Sequence, residues 1–323
     1  MKQVEVLITA PMLPSVIDAL EREFMVHRLW EQSDPAEFLL AAGASIRGVA
    51  TSTLFGRVDS RLLDQLPNLE IIASFGVGYD NVDVAAAAEH GVVVTNTPGV
   101  LEDEVADLTV GLLIATLRQI PQADRHVREG RWIEAPFPLS STLRGRRIGI
   151  VGLGNIGKGV ARRLEAFGAP IAYHSRSPQP GIPYRYYQTL LTLAQASDVL
   201  IALVPGGGAT RHLIDAEVLA ALGPQGVLIN VSRGSVVDER ALIAALRSGT
   251  ILAAGLDVYE DEPRVPQELI EMPNVVLLPH IGSASLQTRE AMGRLVADNL
   301  RSWFERGTAI TPVPGTSNCP EQQ

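Results

Sequence analysis

The chain has 323 residues, 46% hydrophobic and 20% charged, with a formal net charge of −9. At roughly 100–200 residues per domain this length fits two domains, and the hydropathy excludes a chain left disordered for want of apolar surface. The acidic balance excludes a protein built around a nucleic acid, which needs a basic face to displace counterions from phosphates; an anionic ligand must be held by a few local donors against the overall field.

The N-terminal hundred residues alternate short β-rich runs with helical patterns. VEVLI (4–8) reads as a strand, residues 14–23 as a helix, and IRGVAT (46–51) and LEIIASF (69–75) as buried strands. Asp83 is placed to cap the helix VAAAAEH, which Gly91 ends, and VVVTN (92–96) is the next strand. Apolar runs flanked by helices predict a parallel sheet covered on both faces. After Pro98 and Gly99, residues 101–119 form one long helix pattern, with acids in its first turn and Arg118 in its last, as the macrodipole favours. A polar, proline-containing stretch (130–142) follows. RRIGIVGLGNIG then opens a second strand–loop–helix series, with later strands at 171–175, 198–204, 226–232, 251–258 and 274–280. A last long helix runs from 285 to Gly307. The fold class expected is α/β, two Rossmann-like units with parallel sheets, and no repeat or low-complexity segment.

Cys319 is the single cysteine, so an intramolecular disulfide and a cysteine-cluster metal site are excluded, and a reducing compartment is the expected setting. The six histidines (His27, His90, His126, His174, His212, His280) show no metal-site spacing, and no metal is expected. Glu5 interrupts the first apolar run and Pro11 closes it, so that run reads as a strand and not as a signal peptide. No uncharged apolar stretch approaches the roughly 18 residues a membrane helix needs. A cytoplasmic protein is expected.

Gly152, Leu153, Gly154, Asn155, Ile156 and Gly157 form a G-x-G-x-x-G. Alone it is a weak signal; here it follows the strand RIGIV and precedes the helical run KGVARRLEAFG, the context a dinucleotide site requires. The first glycine permits the tight turn, the second lets the backbone approach a pyrophosphate, the third lets helix and strand pack closely, and the helix N-terminus receives the phosphates. At the end of the next strand an NAD site usually carries Asp or Glu for the ribose 2′-OH. This chain has no acid between Glu165 and Asp198 and offers Ser175, Arg176 and Ser177 instead. Arg176 suits a 2′-phosphate, so NADP (NADPH) is the expected cofactor.

Three residues stand at or just after the ends of late strands in this same series: Arg233 after LINVS, Glu262 after LDVYED, and His280 at the end of VVLLPH. Ligands of open α/β sheets bind at those ends. Reduction of a 2-oxo acid needs a cation for carboxylate and carbonyl, an acid that protonates the oxygen, and a carboxylate that orients that acid. Arg, His and Glu suit these jobs.

With these motifs stand INVSRGSVVDE (229–239), GLDVYEDEP (255–263), PHIGSAS (279–285), SFGVGYDNVD (74–83) and TNTPGVLEDEVADL (95–108). Over nearly its whole length the chain resembles a D-isomer-specific 2-hydroxyacid dehydrogenase. Within that family it is most similar to the NADPH-dependent hydroxypyruvate/glyoxylate and hydroxyphenylpyruvate reductases, through the YHSRS turn and the LAQASDVLI stretch. The resemblance implies that Arg233 binds substrate, that Glu262 pairs with the acid/base His280, that the backbone of Val77 and Gly78 holds the substrate carboxylate, and that Ser283 lies on the substrate side. It implies that Asp257, Val231 and Ser232 lie around the nicotinamide. The chain departs from the family at VPGGGATRH (204–212), where three consecutive glycines make a cofactor-facing loop floppier and leave Thr210 a loosely held assignment. The resemblance further implies a substrate domain of 1–99 and 286–323, a dinucleotide domain of 100–285 inserted in it, an active site in the interdomain cleft, and a homodimer built on the dinucleotide domain, with Phe137 reaching the partner's site.

The function expected is NADPH-dependent reduction of a small 2-oxo acid to the D-2-hydroxy acid. A larger 2-oxo acid such as hydroxyphenylpyruvate or 2-ketogluconate is an alternative substrate, and specificity is expected from residues 51–55 and 76–79. The family also resembles corepressors that sense nucleotides on this fold; this chain lacks the basic region and disordered extension that such a role calls for.

Overall fold

The computed structural model describes residues 3–53 and 56–316. Cys319 lies outside the described residues, as do Leu54 and Phe55 of the 51–55 stretch. The chain divides into two compact units, Met1–Leu101 with Ser285–Gln323, and Glu102–Ala284. No helix among the described residues is long and apolar enough to cross a membrane.

The first unit holds strands β1 (Glu5–Ile8), β2 (Met25–Arg28), β3 (Ile46–Ser52), β4 (Ile71–Phe75) and β5 (Val93–Thr95), and helices α1 (Pro14–Glu23), α2 (Pro35–Ala42), α3 (Ser60–Asp64) and α4 (Val84–Glu89). The strands lie in the order β2-β1-β3-β4-β5, every pairing parallel. Strands β4 and β5 are buried at every position, as a sheet covered on both faces requires. Helices α2, α3 and α4 start where a side chain can receive their unpaired N–H groups, while α1 starts on Pro14 without one. Asp34 accepts from Ala36 and Glu37, Asp59 from Leu62, and Asp83 from Ala86. The sequence reading names nothing between residues 23 and 46, where the structure has β2 and α2. MVHR is an edge strand with no fully buried position, so it lacks the apolar run that marks an inner one.

The second unit begins with α5 (Glu102–Arg118) and α6 (Ile120–Arg128). The single long helix expected at 101–119 thus stops one residue short, at Gln119, whose φ of 52° is left-handed, and Pro121 opens a new helix. Then come β6 (Ile148–Val151), α7 (Asn155–Glu165), β7 (Ile171–His174), β8 (Arg185–Tyr186), α8 (Leu190–Gln195), β9 (Val199–Ala202), α9 (Ala216–Leu222), β10 (Val227–Asn230), α10 (Glu239–Ser248), β11 (Ala253–Leu256), α11 (Gln267–Glu271) and β12 (Val275–Leu277). The seven strands lie in the order β12-β11-β10-β9-β6-β7-β8, again all parallel. The chain runs outward from β6 through β7 to β8, then crosses back to β9 on the other side of β6. The order therefore reverses between β6 and β9, the switch point at which such sheets take ligands. One buried cluster, with Ile148, Ile150, Val160 and Leu164, seats α7 on the sheet; a second, with Leu200, Leu219, Leu228 and Leu242, seats α9 and α10.

The final helix, α12 (Leu286–Arg306), belongs to the first unit. Ser285 caps it by accepting from Thr288, and Gly307 closes it at φ 69°. It lies so near α1 that a Cβ on Gly293 would meet Val16 Cγ2 at 2.1 Å. Both folds are α/β with wholly parallel sheets, as the sequence indicates.

Candidate active site

The loop after β6 is shaped by its glycines. Gly152 has φ 95°, and a Cβ there would meet Leu203 O and Val204 Cγ1 at 2.8 Å. A Cβ on Gly157 would meet Gly152 O at 2.4 Å, so the first turn of α7 packs directly on the strand end. Gly154 differs: nothing lies within 4 Å of its Cβ position. It is also the N-cap of α7 and supplies no side-chain acceptor. The first N–H groups of α7, from Asn155, Ile156 and Gly157, are therefore uncapped at a helix N-terminus beside open space, the arrangement that accepts a phosphate. Leu153 is buried, and its carbonyl accepts from Gln179 Nε2 at 2.9 Å.

At the end of β7, Ser175 Oγ donates to Ser177 O at 2.7 Å and closes a tight turn that leaves Arg176 exposed. No described side chain pairs with the Arg176 guanidinium. The flanking carboxylates are committed elsewhere: Glu165 accepts from Tyr184 OH at 3.0 Å, and Asp198 pairs with Arg147 at 2.8 Å.

The loop after β10 carries Arg233. Asn230, the last residue of that strand, is buried, and its Oδ1 accepts from Ser232 N (3.1 Å) and Ser232 Oγ (2.8 Å) while its Nδ2 donates to Arg233 O (3.0 Å). Val231 and Ser232 are buried in this turn, and Arg233 is half-buried with NH1 on Ser232 O at 2.8 Å. Sequence reasoning missed Asn230; its signal is an Asx turn, an Asn two residues before a Ser. The next residue, Gly234, has no room for a side chain, since a Cβ would meet Tyr259 C and O at 1.9 Å. The Arg233 loop and the loop after β11 are thus in backbone contact.

That second loop carries Glu262. Its Oε1 accepts from Tyr259 N at 3.0 Å and its Oε2 meets His280 Nδ1 at 2.7 Å. Burial alone would raise the Glu262 carboxyl; the hydrogen bond and charge of His280, the Tyr259 N–H and the charge of Arg233 outweigh it and hold the carboxyl below its ordinary value. Glu262 is then an anion near neutrality with no proton to give, so Nδ1 of His280 is the donor. His280 itself has φ 53°, a left-handed conformation uncommon outside glycine. Asp257, 1% exposed, enforces it: its carbonyl accepts from His280 N at 2.9 Å, and its carboxylate oxygens accept from Ile281 N (2.7 Å) and Gly282 N (2.8 Å). Burial pushes the Asp257 carboxyl up against the pull of those two N–H groups and of His280. Sequence reading assigned Asp257 to the nicotinamide surroundings; its visible work is to fix the turn that carries His280.

The remaining candidates are more scattered. In the first unit, Gly76 has φ 155° and its N–H donates to Thr97 Oγ1 at 3.1 Å, while Val77 O accepts from Asn96 Nδ2 at 2.8 Å. The N–H groups of Val77 and Gly78 donate to no acceptor among the described residues. Ser283 is half-buried, one residue beyond the turn held by Asp257. In the glycine-rich loop after β9, Thr210 Oγ1 donates to Pro205 O at 2.7 Å, closing the loop on itself. Phe137 packs edge-on against His126 of its own chain, with ring centroids 5.5 Å apart. No group of three or more His, Cys, Asp or Glu among the described residues is placed to hold a metal.

The chain is similar to known proteins over nearly its whole length. Residues 110–282 match the model of the D-isomer specific 2-hydroxyacid dehydrogenase NAD-binding domain. The chain is 45% identical to glyoxylate/hydroxypyruvate reductase A of Arabidopsis thaliana, over 97% of this chain and 100% of that protein. It is 46% identical to hydroxyphenylpyruvate reductase of Plectranthus scutellarioides, with the same two coverages of 97% and 100%. Its structure superposes with a TM-score of 0.93 and 51% identity on an NADPH-dependent glyoxylate/hydroxypyruvate reductase of Sinorhizobium meliloti solved with NADP and malonate, covering 98% of each chain. The chain belongs to the D-isomer-specific 2-hydroxyacid dehydrogenase family.

Proposed function

We propose that this protein uses NADPH to reduce a small 2-oxo acid of the glyoxylate/hydroxypyruvate class to the D-2-hydroxy acid. The observation that carries the reading is the 2.7 Å contact between Glu262 Oε2 and His280 Nδ1, built on strand ends next to the Arg233 loop. With Nδ1 engaged by Glu262, Nε2 of His280 is the atom left to hold a transferable proton. His280 gives that proton to the substrate oxygen as negative charge builds there. Arg233 binds the substrate carboxylate and polarises the carbonyl. The free N–H groups of Val77 and Gly78 suit a carboxylate too, and Ser283 is assigned to the substrate side by its place in the family motif.

Bound NADPH supplies the hydride. Its pyrophosphate is assigned to the loop Gly152, Leu153, Gly154, Asn155, Ile156 and Gly157, where Gly154 leaves room and α7 offers uncapped N–H groups. Its 2′-phosphate is assigned to Ser175, Arg176 and Ser177, where no carboxylate competes. Val231, Ser232 and Asp257 frame the nicotinamide side. In this reading 1–99 and 286–323 are the substrate domain and 100–285 the dinucleotide domain.

A homodimer is part of the same reading. The second unit exposes Ile120 (49%), Val127 (55%), Trp132 (67%), Ile133 (93%) and Leu139 (101%) within one 20-residue stretch, the kind of apolar surface a second copy covers. A cytoplasmic setting goes with a reductase that draws on NADPH.

The test is NADPH oxidation on mixing with glyoxylate, hydroxypyruvate, 4-hydroxyphenylpyruvate and 2-ketogluconate, each repeated with NADH. Highest kcat/KM with hydroxypyruvate or glyoxylate and NADPH is expected. The similarity to a hydroxyphenylpyruvate reductase makes the aromatic substrate the second candidate. No turnover with any of the four would overturn the reading.

A further inference from the structure

The loop after β9 reads PGGGATRH, and three consecutive glycines, Gly207 at φ 121°, give its backbone little stiffness of its own. Yet its far end is tied down twice by one carboxylate. Glu260 Oε1 accepts from Arg211 NH2 at 2.8 Å and from His212 Nε2 at 2.9 Å. His212 sits at φ 50°, and its backbone N–H donates to Ser235 O at 2.8 Å, two residues past Arg233. Ile214 N continues the seam onto Val236 O at 3.0 Å. Glu260 is itself held from α10, its N–H donating to Glu239 Oε2 at 3.3 Å. Two residues on stands Glu262, with the Tyr259 N–H on its Oε1.

We propose that Glu260 is a positioning residue that couples the glycine-rich loop after β9 to the segment that presents Glu262 to His280. Three loops, after β9, β10 and β11, meet at the Glu260 carboxylate and the His212 backbone. The glycine loop follows β9, one of the two strands that flank the switch point. Ordering it therefore orders the Tyr259–Glu262 segment, and the reverse holds equally, because a coupling between two sites is reciprocal. The inference rests on the cofactor assignment made above only where it concerns NADPH. These ion pairs are partly exposed, so each adds little to global stability. Their effect is local order, in a loop whose glycines would otherwise leave it many conformations.

The full chain is compared with Glu260→Ala, Glu260→Gln, the double variant Arg211→Ala/His212→Ala, and the triple variant that adds Glu260→Ala to that pair. Two measurements are made: amide hydrogen exchange without cofactor, and NADPH affinity by fluorescence titration. Glu260→Ala should speed exchange about tenfold in both 206–213 and 259–263, the scale of coupling within one charge network. It should weaken NADPH binding about three- to tenfold while the thermal midpoint stays near wild type. Glu260→Gln, which keeps an acceptor oxygen, should restore part of both effects. The double variant should match Glu260→Ala, and the triple should be no worse. Faster exchange confined to one segment, or a triple variant whose effects simply add, would overturn the coupling. If the wild-type chain fails to bind NADPH, the cofactor reading falls, and the exchange data still decide the coupling.

Discussion

Asp257 holds the turn of His280 from both ends of its own residue: its carbonyl accepts from His280 N at 2.9 Å, and its carboxylate accepts from Ile281 N and Gly282 N, the next two residues, at 2.7 and 2.8 Å. A histidine at φ 53° persists because its neighbours over-determine it. The imidazole is then aimed twice, by its backbone through Asp257 and by its ring through Glu262. Holding a ring this way matters most for a proton that must be delivered to one atom of a bound substrate.

That aim is tested first at His280. Replacing it with Ala removes the proton donor and leaves the glycine loop and the Arg176 turn untouched. The kcat for reduction should fall by a factor on the order of 10² to 10⁴. NADPH affinity, measured by fluorescence titration, should stay within about twofold. A variant with near-wild-type kcat would take His280 out of the chemistry.

Glu262 leaves a signature in stability. Its carboxyl lies below the ordinary value of 4.5 in the folded chain, so on acidification the unfolded chain takes up this proton first. The interaction therefore stabilises the fold fully above that ordinary value and is lost as pH falls through the lower folded one. Glu262→Gln removes the titration. Urea unfolding between about pH 3 and 7 should show the wild-type advantage over Glu262→Gln shrinking below about 4.5. An advantage that grows on acidification would contradict the ion pair.

Arg233→Lys keeps the charge and loses the planar two-pronged donor set. The Asn230 cage engages Arg233 through its backbone carbonyl, so the loop should keep its form in the variant. The loss should appear in kcat/KM, by about ten- to a hundredfold, with the thermal midpoint unchanged. Kinetics close to wild type would reduce Arg233 to a structural part.

Much of this was legible in the sequence where the controlling signal is local. The helix read at 14–23 has the bounds of α1, and the last helix pattern, 285 to Gly307, takes in α12 together with its two caps, Ser285 and Gly307. The strand–G-x-G-x-x-G–helix pattern announces the turn after β6, where a Cβ on Gly157 would strike the Gly152 carbonyl five residues earlier; the demand on Gly152, from Leu203 and Val204, comes from far along the chain. The strand ends are visible too, which is why Arg233, Glu262 and His280 could be picked out at all. What was not legible depends on partners distant in the chain. Asp257 meets Ile281 and Gly282, 24 and 25 residues later, and Glu260 meets Arg211 and His212, 49 and 48 residues earlier. The helix that stops before Gln119 was read to within one residue, but α6 directly after it was not named; of its residues only His126 is buried, so no buried apolar run marks it.

The glycine loop allows a paired test in which two neighbouring substitutions should part company. An Ala side chain at 157 would meet the Gly152 carbonyl at 2.4 Å, and backbone cannot swing aside as a flexible side chain can. Gly157→Ala should cost roughly 1–3 kcal/mol from overpacking, lowering the thermal midpoint by several degrees. Gly154→Ala meets nothing, at φ −75° and ψ −162°, which alanine tolerates. Its stability should stay within about 0.5 kcal/mol of wild type. NADPH affinity should nevertheless fall at least about tenfold, because the new methyl stands where the pyrophosphate has to approach. Unchanged affinity in Gly154→Ala would remove the phosphate from this loop.

Cofactor choice turns on Arg176. The turn closed by Ser175 and Ser177 leaves its guanidinium exposed and unpaired, and the nearest carboxylates in sequence are spent on Tyr184 and Arg147. A 2′-phosphate gains a charge-assisted hydrogen bond there, worth about 1.5–3 kcal/mol, whereas a bare ribose 2′-OH finds no acceptor carboxylate. Wild type should therefore prefer NADPH to NADH. Arg176→Ala should raise the KM for NADPH about ten- to a hundredfold and leave that for NADH nearly unchanged. Arg176→Asp should go further: it repels the phosphate and offers the missing acceptor to the 2′-OH, so NADH should become the better cofactor. Equal use of the two cofactors by the wild type, or an equal loss with both in Arg176→Ala, would show that the turn does not read the 2′ position.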